Sequence, residues 1–441
     1  MNSHIQLKEA RMSQYLNFVD YKYKPNKDDL ICLFRVDPAK TINFNEAIGR
    51  IAAESSNGTW TELTTLKKRI FDIRARAFYR KGNFVKIAYP IELFELGNAP
   101  QLFSSVAGNI FGMKAVTNLR LEDIQFPGKY IKSFHGPQFG IQGIRRFMKI
   151  KERPITATVP KPKVGMNTGE YCDAAEKIWS GGIDIVKTDE NMTSQKFVNF
   201  YKTTKEILNI RDKIEKKTGE RKAFLANVTA ETNEMIKRAR FVKECGGEFV
   251  MIDFLTAGLA GFQTLRNECE DLKLAIHVHR AFHAAFTRNP LHGVSMLTLA
   301  KIVRLIGGDT LHIGTAIGKL AGKRDEVLML EHELEHQIEP CFKTKSNILN
   351  QNWYNTKPVL AVSSGGLHPG LVPYILNMLG KDIIIQSGGG VLGNPLGVEA
   401  GAKALRQSIE ATINGISLEE YSKQHKELRA ALDKWGILRP V

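Results

Sequence analysis

From about Ile155 onward the chain alternates short apolar, β-rich runs with longer helix-compatible stretches, and that rhythm leaves few folds open. The runs are Thr156–Val164, Ile183–Glu190, Ala223–Thr229, Phe249–Leu255, Leu274–Arg280, Leu311–Ala316, Val359–Ser364 and Asp382–Ser387. Stretches such as Thr168–Trp179, Glu231–Cys245 and Val398–Asn414 lie between or after them. Eight strands alternating with helices over about 260 residues predict a (β/α)8 (TIM) barrel. Ser417 to Trp435 reads as one or two helices closing the end.

Upstream the pattern is irregular. Ile31–Val36 and Phe84–Tyr89 read as strands, Phe44–Ser55 and Leu93–Phe103 as helices, which suggests an α+β domain. The chain therefore divides near residue 140: an N-terminal α+β domain over 1–140, then the α/β barrel with its C-terminal helices over 141–441.

Composition narrows the class. No apolar run approaches a membrane span, and the N-terminus carries no secretion signal. The five cysteines have no paired spacing for zinc or disulfides, so an intracellular, cytoplasmic protein is expected. The formal charge of +16 raises the alternative of a basic nucleic-acid-binding protein. The lysines, however, are spread along the chain and often neighbour acids, as in Lys213-Ile214-Glu215-Lys216. A solvated surface biased toward anionic ligands is the simpler reading, with no nucleic acid or membrane as partner.

Barrels of this kind keep their chemistry at the C-terminal ends of the strands. The second run ends in Lys187-Thr188-Asp189-Glu190, where strand alternation sends Lys187 and Asp189 the same way and Glu190 enters a turn. A lysine with two carboxylates at that place is a candidate oxygen-rich metal site. The first run ends in Pro160-Lys161-Pro162-Lys163. Repulsion between its two lysines should depress at least one pKa and suit acid–base work; solvated loop lysines are the alternative.

The fifth run ends in His277-Val278-His279-Arg280, a pair of imidazoles that could bind a metal or form a hydrogen-bonded core feature. After the sixth comes His312, then Lys319 between glycines, built like a lid or simply an exposed loop. Runs seven and eight end in Ser364-Gly365-Gly366 and Ser387-Gly388-Gly389-Gly390, whose backbone N–H groups could cradle a phosphate. Gly388, Gly390 and Gly393 also match a dinucleotide fingerprint, without its downstream acid. His332-Glu333-Leu334-Glu335-His336 satisfies a zinc-protease pattern but reads as a solvated helix face.

Taken in order, these strand ends resemble the large subunit of ribulose-1,5-bisphosphate carboxylase/oxygenase (RuBisCO) over nearly the whole chain. Glu54-Ser55-Ser56-Asn57-Gly58-Thr59-Trp60-Thr61, Gly108-Asn109-Ile110-Phe111-Gly112, Leu119-Arg120-Leu121-Glu122-Asp123 and Ala284-Ala285-Phe286-Thr287-Arg288-Asn289-Pro290 carry the resemblance as well. It is strongest to the form III, archaeal branch, which works without small subunits.

The resemblance implies that CO2 adds to Lys187 as a carbamate (N6-carboxylysine), which binds Mg2+ together with Asp189 and Glu190 and acts as the base at C3 of ribulose bisphosphate. It gives Lys161 proton transfer at C2, helped by Lys163, a role around the reacting carbons to His279, and closure over the incoming carboxylate to Lys319. Arg280 and His312 would hold one phosphate and Ser364 the sugar. Gly365, Gly366, Gly388 and Gly389, with Thr59 and Trp60, would line the place of the other phosphate. Glu54, Thr59, Trp60 and Asn109 would come from a neighbouring subunit, making a homodimer the smallest active unit.

The products would be two 3-phosphoglycerates, with O2 as competing substrate in a monooxygenase (oxidoreductase) side reaction. The setting would be salvage of nucleoside monophosphates such as AMP. Three departures stand out: Thr188 in place of an acid, Ala321 in place of the lid glutamate, and no longer tail after Val441. The nearest rival is a RuBisCO-like enolase or isomerase of sulfur salvage, which typically lacks several of the residues matched here.

Overall fold

The computed structural model describes residues 14–61, 63–317, 324–337 and 348–437. The chain clusters into two compact units. One comprises Met1–His135, Phe282–Leu305 and His336–Thr356; the other comprises Gly136–Ala281, Ile306–Glu335 and Lys357–Val441.

The first unit is built on a five-stranded sheet ordered β10-β4-β1-β3-β2. Its strands are β1 (Asp29–Pro38), β2 (Arg76–Lys81), β3 (Phe84–Pro90), β4 (Val116–Gln125) and the short β10 (Gly293–Val294). β1 runs antiparallel to both β3 and β4. The expected helix after β1 is present as Phe44–Glu54, opened by the Asn43 side chain accepting from Glu46 N. Its apolar residues Ala47, Ile48, Ile51 and Ala52 fall on one face and are all buried. The helix predicted from Leu93 begins only at Ala99. Gly97 holds φ +75°, and Asn98 caps Gln101 N, so the chain turns before the helix can start.

β2 and β4 were not expected. β4 hides because charged residues interrupt its apolar alternation, yet Asp123 within it is fully buried. Its carboxylate meets Lys301 Nζ at 2.7 Å, and neither side chain is exposed to solvent. Asp123 also accepts from Ile124 N and Leu349 N, while Lys301 donates to Ile124 O.

The second unit is a closed parallel barrel, β11-β12-β13-β5-β6-β7-β8-β9. In chain order the strands are β5 (Ile155–Thr158), β6 (Ile185–Lys187), β7 (Ala223–Asn227), β8 (Phe249–Asp253), β9 (Ala275–His279), β11 (Thr310–His312), β12 (Leu360–Ser364) and β13 (Ile383–Gln386). The α/β barrel read from the sequence is the fold. Ile155, Ala157, Ile185, Ala223, Leu225, Phe249, Met251, Ala275, Leu360, Val362 and Ile384 form one buried cluster inside it. Each next inward position along β6 to β9 and β12 is polar: Lys187, Asn227, Asp253, His277 (with His279 two further on) and Ser364. Apolar filling thus gives way to chemistry at the C-terminal mouth.

Several strands are shorter than predicted. Pro160 and Pro162 cannot donate to a ladder, so β5 stops at Thr158. Gly314 and Ala316 take φ +92° and +61°, which turns the chain away after β11. At its N-terminal end β6 is fastened by Asp184. That carboxylate accepts from Arg153 Nη1 and Nη2 at 2.6 and 2.7 Å, and from Thr156 N and Oγ1 at 2.8 and 2.7 Å. The C-terminal stretch forms two helices, Leu418–Ser422 and Lys426–Trp435.

The helix Arg324–Glu335 corrects one expectation: the stretch from His332 is only partly a solvated face, since Glu333 and Leu334 are buried, as is Glu331 just before it, while His336 past the helix end is exposed. Burial and the neighbouring Glu335 carboxylate push Glu331 up to about 9. The folded state therefore binds this proton more tightly than the unfolded chain does. The group's contribution to stability is greatest below the ordinary carboxylate range and is lost as pH rises toward 9. Glu331→Gln should accordingly raise the melting temperature at pH 8 and leave it nearly unchanged at pH 4, measured by scanning calorimetry. An equal shift at both pH values would contradict this.

Candidate active site

Lys187, the last residue of β6, is wholly buried. Burial drives its amine below the usual lysine range, more than the carboxylates of Glu190, Asp253 and Asp189 raise it. Its Nζ donates to Thr188 O at 2.8 Å and to Met251 Sδ at 3.2 Å, with Glu190 Oε2 at 3.9 Å. Thr188 lies on the other side of the strand, within the hydrogen-bonding neighbourhood of Tyr171, whose hydroxyl donates to Lys187 O at 3.0 Å.

Around this amine the neighbouring strand ends supply alternating charges. Lys161 Nζ donates to Asp189 Oδ2 at 2.7 Å, and Lys163 Nζ to Glu190 Oε1 at 2.9 Å. The repulsion argument fails for Lys163: its bond to Glu190 raises its pKa, because the carboxylate is its nearest charge. His279 Nδ1 pairs with Asp253 Oδ1 at 2.9 Å, and its Nε2 lies 3.7 Å from Glu190 Oε2. Burial lowers the His279 pKa, favouring the neutral ring. Asn227 Nδ2 donates to Glu190 O at 3.3 Å and to Asp253 Oδ2 at 3.3 Å, tying the acidic end of β8 to the turn after β6.

On the far side of the mouth, His312 Nδ1 meets Ser364 Oγ at 2.6 Å. Both ring nitrogens of His277 are occupied, by Thr310 Oγ1 at 2.6 Å and by His312 Nε2 at 2.9 Å, so this imidazole belongs to a hydrogen-bonded row. Arg280 follows β9; burial brings its guanidinium down to about 10, and a Cβ on Gly314 would stand 3.0 Å from its Nη2. Gly365 and Gly366 take φ +117° and +75°, a conformation side-chain-bearing residues rarely adopt, so the backbone after β12 can face a ligand. Gly388 lies beside Lys161, whose Cε would be 3.3 Å from a Cβ there.

Two family models cover the chain: "Ribulose bisphosphate carboxylase large chain, catalytic domain" matches residues 140–435, and the corresponding N-terminal domain matches residues 17–130. The chain belongs to the RuBisCO large-chain family. It is an enzyme of the carboxy-lyase class. The ribulose bisphosphate carboxylase of Pyrococcus abyssi is 50% identical over 434 residues, 98% of this chain and 99% of that protein. Among solved structures, the dimeric archaeal Rubisco of Hyperthermus butylicus is 52% identical with a TM-score of 0.92, covering 96% of this chain and 100% of that one. The octameric Rubisco of Pyrococcus horikoshii is 48% identical with a TM-score of 0.89, covering 96% and 99%.

Of the RuBisCO site residues read from the sequence, Lys161, Lys163, Lys187, Asp189, Glu190, His279, Arg280, His312, Ser364, Gly365, Gly366, Gly388 and Gly389 all follow or end barrel strands. Lys319 lies outside the described residues. Glu54, Thr59, Trp60 and Asn109 belong to the other compact unit, where Glu54, Trp60 and Asn109 are exposed. Sequence reasoning missed Asn227, Asp253 and Gln386. Each is a polar residue ending an apolar run, and that signal was available. Gln386 is buried with its Oε1 lacking a partner among the described residues, which marks it as another group facing the mouth. Among the described residues no helix is long and apolar enough to cross a membrane.

Proposed function

We propose that this protein carboxylates ribulose-1,5-bisphosphate, yielding two 3-phosphoglycerates from the bisphosphate, CO2 and water, with O2 as the competing substrate. The observation that carries the reading is a buried, pKa-depressed lysine amine 3.9 Å from the Glu190 carboxylate at a barrel mouth, in a chain about half identical to named carboxylases along its length.

The donor chemistry fits Mg2+, a hard cation that takes oxygen ligands and keeps room for substrate and water. Among the described residues no three His, Cys, Asp or Glu side chains form a ready-made cluster. Asp189 and Glu190 offer two carboxylates, each now balanced by a lysine. A third anionic oxygen would come from Lys187. Its neutral amine would attack CO2, forming an N–C bond and releasing a proton, to give a carbamate. When bound, Mg2+ would stabilise negative charge on the oxygens of the sugar.

The chain's own groups would then divide the work. Lys187, once carbamylated, would take the C3 proton. Lys161, with Lys163 beside it, would move the proton at C2, and His279, held by Asp253, would serve the reacting carbons. The Arg280 guanidinium has no hydrogen-bond acceptor among the described residues, which suits it to a phosphate, with His312 beside it. Ser364 would bond the sugar, while the backbone at Gly365, Gly366, Gly388 and Gly389 would receive the other phosphate. Lys319 would close over the site, and a partner subunit would bring Glu54, Thr59, Trp60 and Asn109. The assembly would be a homodimer or a set of dimers without small subunits, working in the cytoplasm in nucleoside monophosphate salvage.

The test preincubates the protein with CO2 and Mg2+, then adds the bisphosphate and labelled bicarbonate. Labelled phosphoglycerate is expected; enolisation of a thio-substituted analogue without it would favour a RuBisCO-like enolase instead. Asp253→Asn should lower kcat by about 10²-fold, since His279 loses the carboxylate that orients it. Unchanged turnover in the same assay would remove His279 from the mechanism.

A further inference from the structure

Four side chains make one unbroken hydrogen-bonded row from the barrel interior to its mouth. Thr310 Oγ1 meets His277 Nδ1 at 2.6 Å, His277 Nε2 meets His312 Nε2 at 2.9 Å, and His312 Nδ1 meets Ser364 Oγ at 2.6 Å. Thr310, His277 and His312 are only 2%, 1% and 3% exposed. Burial holds both imidazoles well below the usual histidine range, so each carries a single N–H.

A neutral imidazole that donates through one nitrogen accepts through the other, so the row has just two internally consistent directions. In one, Thr310 donates to His277, His277 to His312, and His312 to Ser364, whose hydroxyl proton is left for the mouth. In the other every proton points inward, and Ser364 offers the mouth only lone pairs. Thr310 decides between them. Among the described residues His277 Nδ1 is the only acceptor its hydroxyl reaches, and a buried O–H without an acceptor is strongly disfavoured.

We propose that Thr310 and His277 are positioning residues that hold His312 in its Nδ1–H tautomer and thereby make Ser364 a hydrogen-bond donor to the ligand. The ligand group facing Ser364 is then an acceptor, such as a sugar carbonyl or an oxyanion. This deepens, and rests on, the reading of the mouth as a bisphosphate site.

The row is read directly in the full-length protein labelled with 15N-histidine, whose imidazole shifts distinguish bare from protonated nitrogens. Protonated Nδ1 and bare Nε2 on His312 are expected; the opposite tautomer overturns the proposal. Binding of a pentitol 1,5-bisphosphate, which cannot enolise, supplies the second readout. Thr310→Val should weaken it roughly tenfold, the worth of one neutral hydrogen bond, and Thr310→Ser should restore it. In a Ser364→Ala background Thr310→Val should have no further effect, because Thr310 acts only through Ser364. An equal loss in both backgrounds overturns the proposal. Should the wild-type protein not bind the bisphosphate at all, the functional reading fails, and the tautomer spectra alone decide the row.

Discussion

Replacing Lys187 with methionine is expected to abolish carboxylation while leaving the barrel folded. Its amine makes two modest hydrogen bonds, to Thr188 O and Met251 Sδ, in a fully buried place where an apolar chain of similar volume fits. Losing the proposed base and the third oxygen donor together should cost on the order of 10³-fold or more in turnover. The labelled-bicarbonate assay measures the loss, and a thermal melt close to that of the wild type shows that the fold survives. Near-wild-type activity in a protein lacking this amine would end the carbamate reading.

Lys301→Met in the first unit should do the reverse, unfolding that unit without touching any proposed catalytic group. It would leave the Asp123 carboxylate buried with no counter-charge, a loss of about 3–5 kcal/mol. Burial already raises the Asp123 pKa despite the ammonium beside it, so the variant should take up a proton there and become more stable toward acid pH. Adding Asp123→Asn should recover most of the loss, because the amide can still accept from Leu349 N. Urea unfolding at neutral and acid pH checks both statements. A single variant as stable as the wild type would show that the pair contributes nothing.

The barrel was legible because its strands are apolar along most of their length and its helices are long enough to show a period. Lys187, Asp189 and Glu190 were legible because the three chemistries lie within four residues. The rest depends on register between strands. Asp253 meets His279 only because β8 and β9 pair those two positions directly. The row from Thr310 to Ser364 needs β9, β11 and β12 in fixed alignment. The error at Lys163 has the same origin, since the near lysine was adjacent in sequence and the nearer carboxylate, Glu190 in the turn after β6, was not. Likewise β4 was hidden by Asp123, whose partner Lys301 comes far later in the chain.

The strand that carries Lys187 is three residues long, and its other end is pinned by the four bonds that Asp184 accepts. So short a segment has little grip of its own, and slipping by one position would turn the amine to the wrong face. Genetic drift at Asp184 or Arg153 should therefore mimic a dead catalyst in a screen, although every group at the opening would still be spelled correctly.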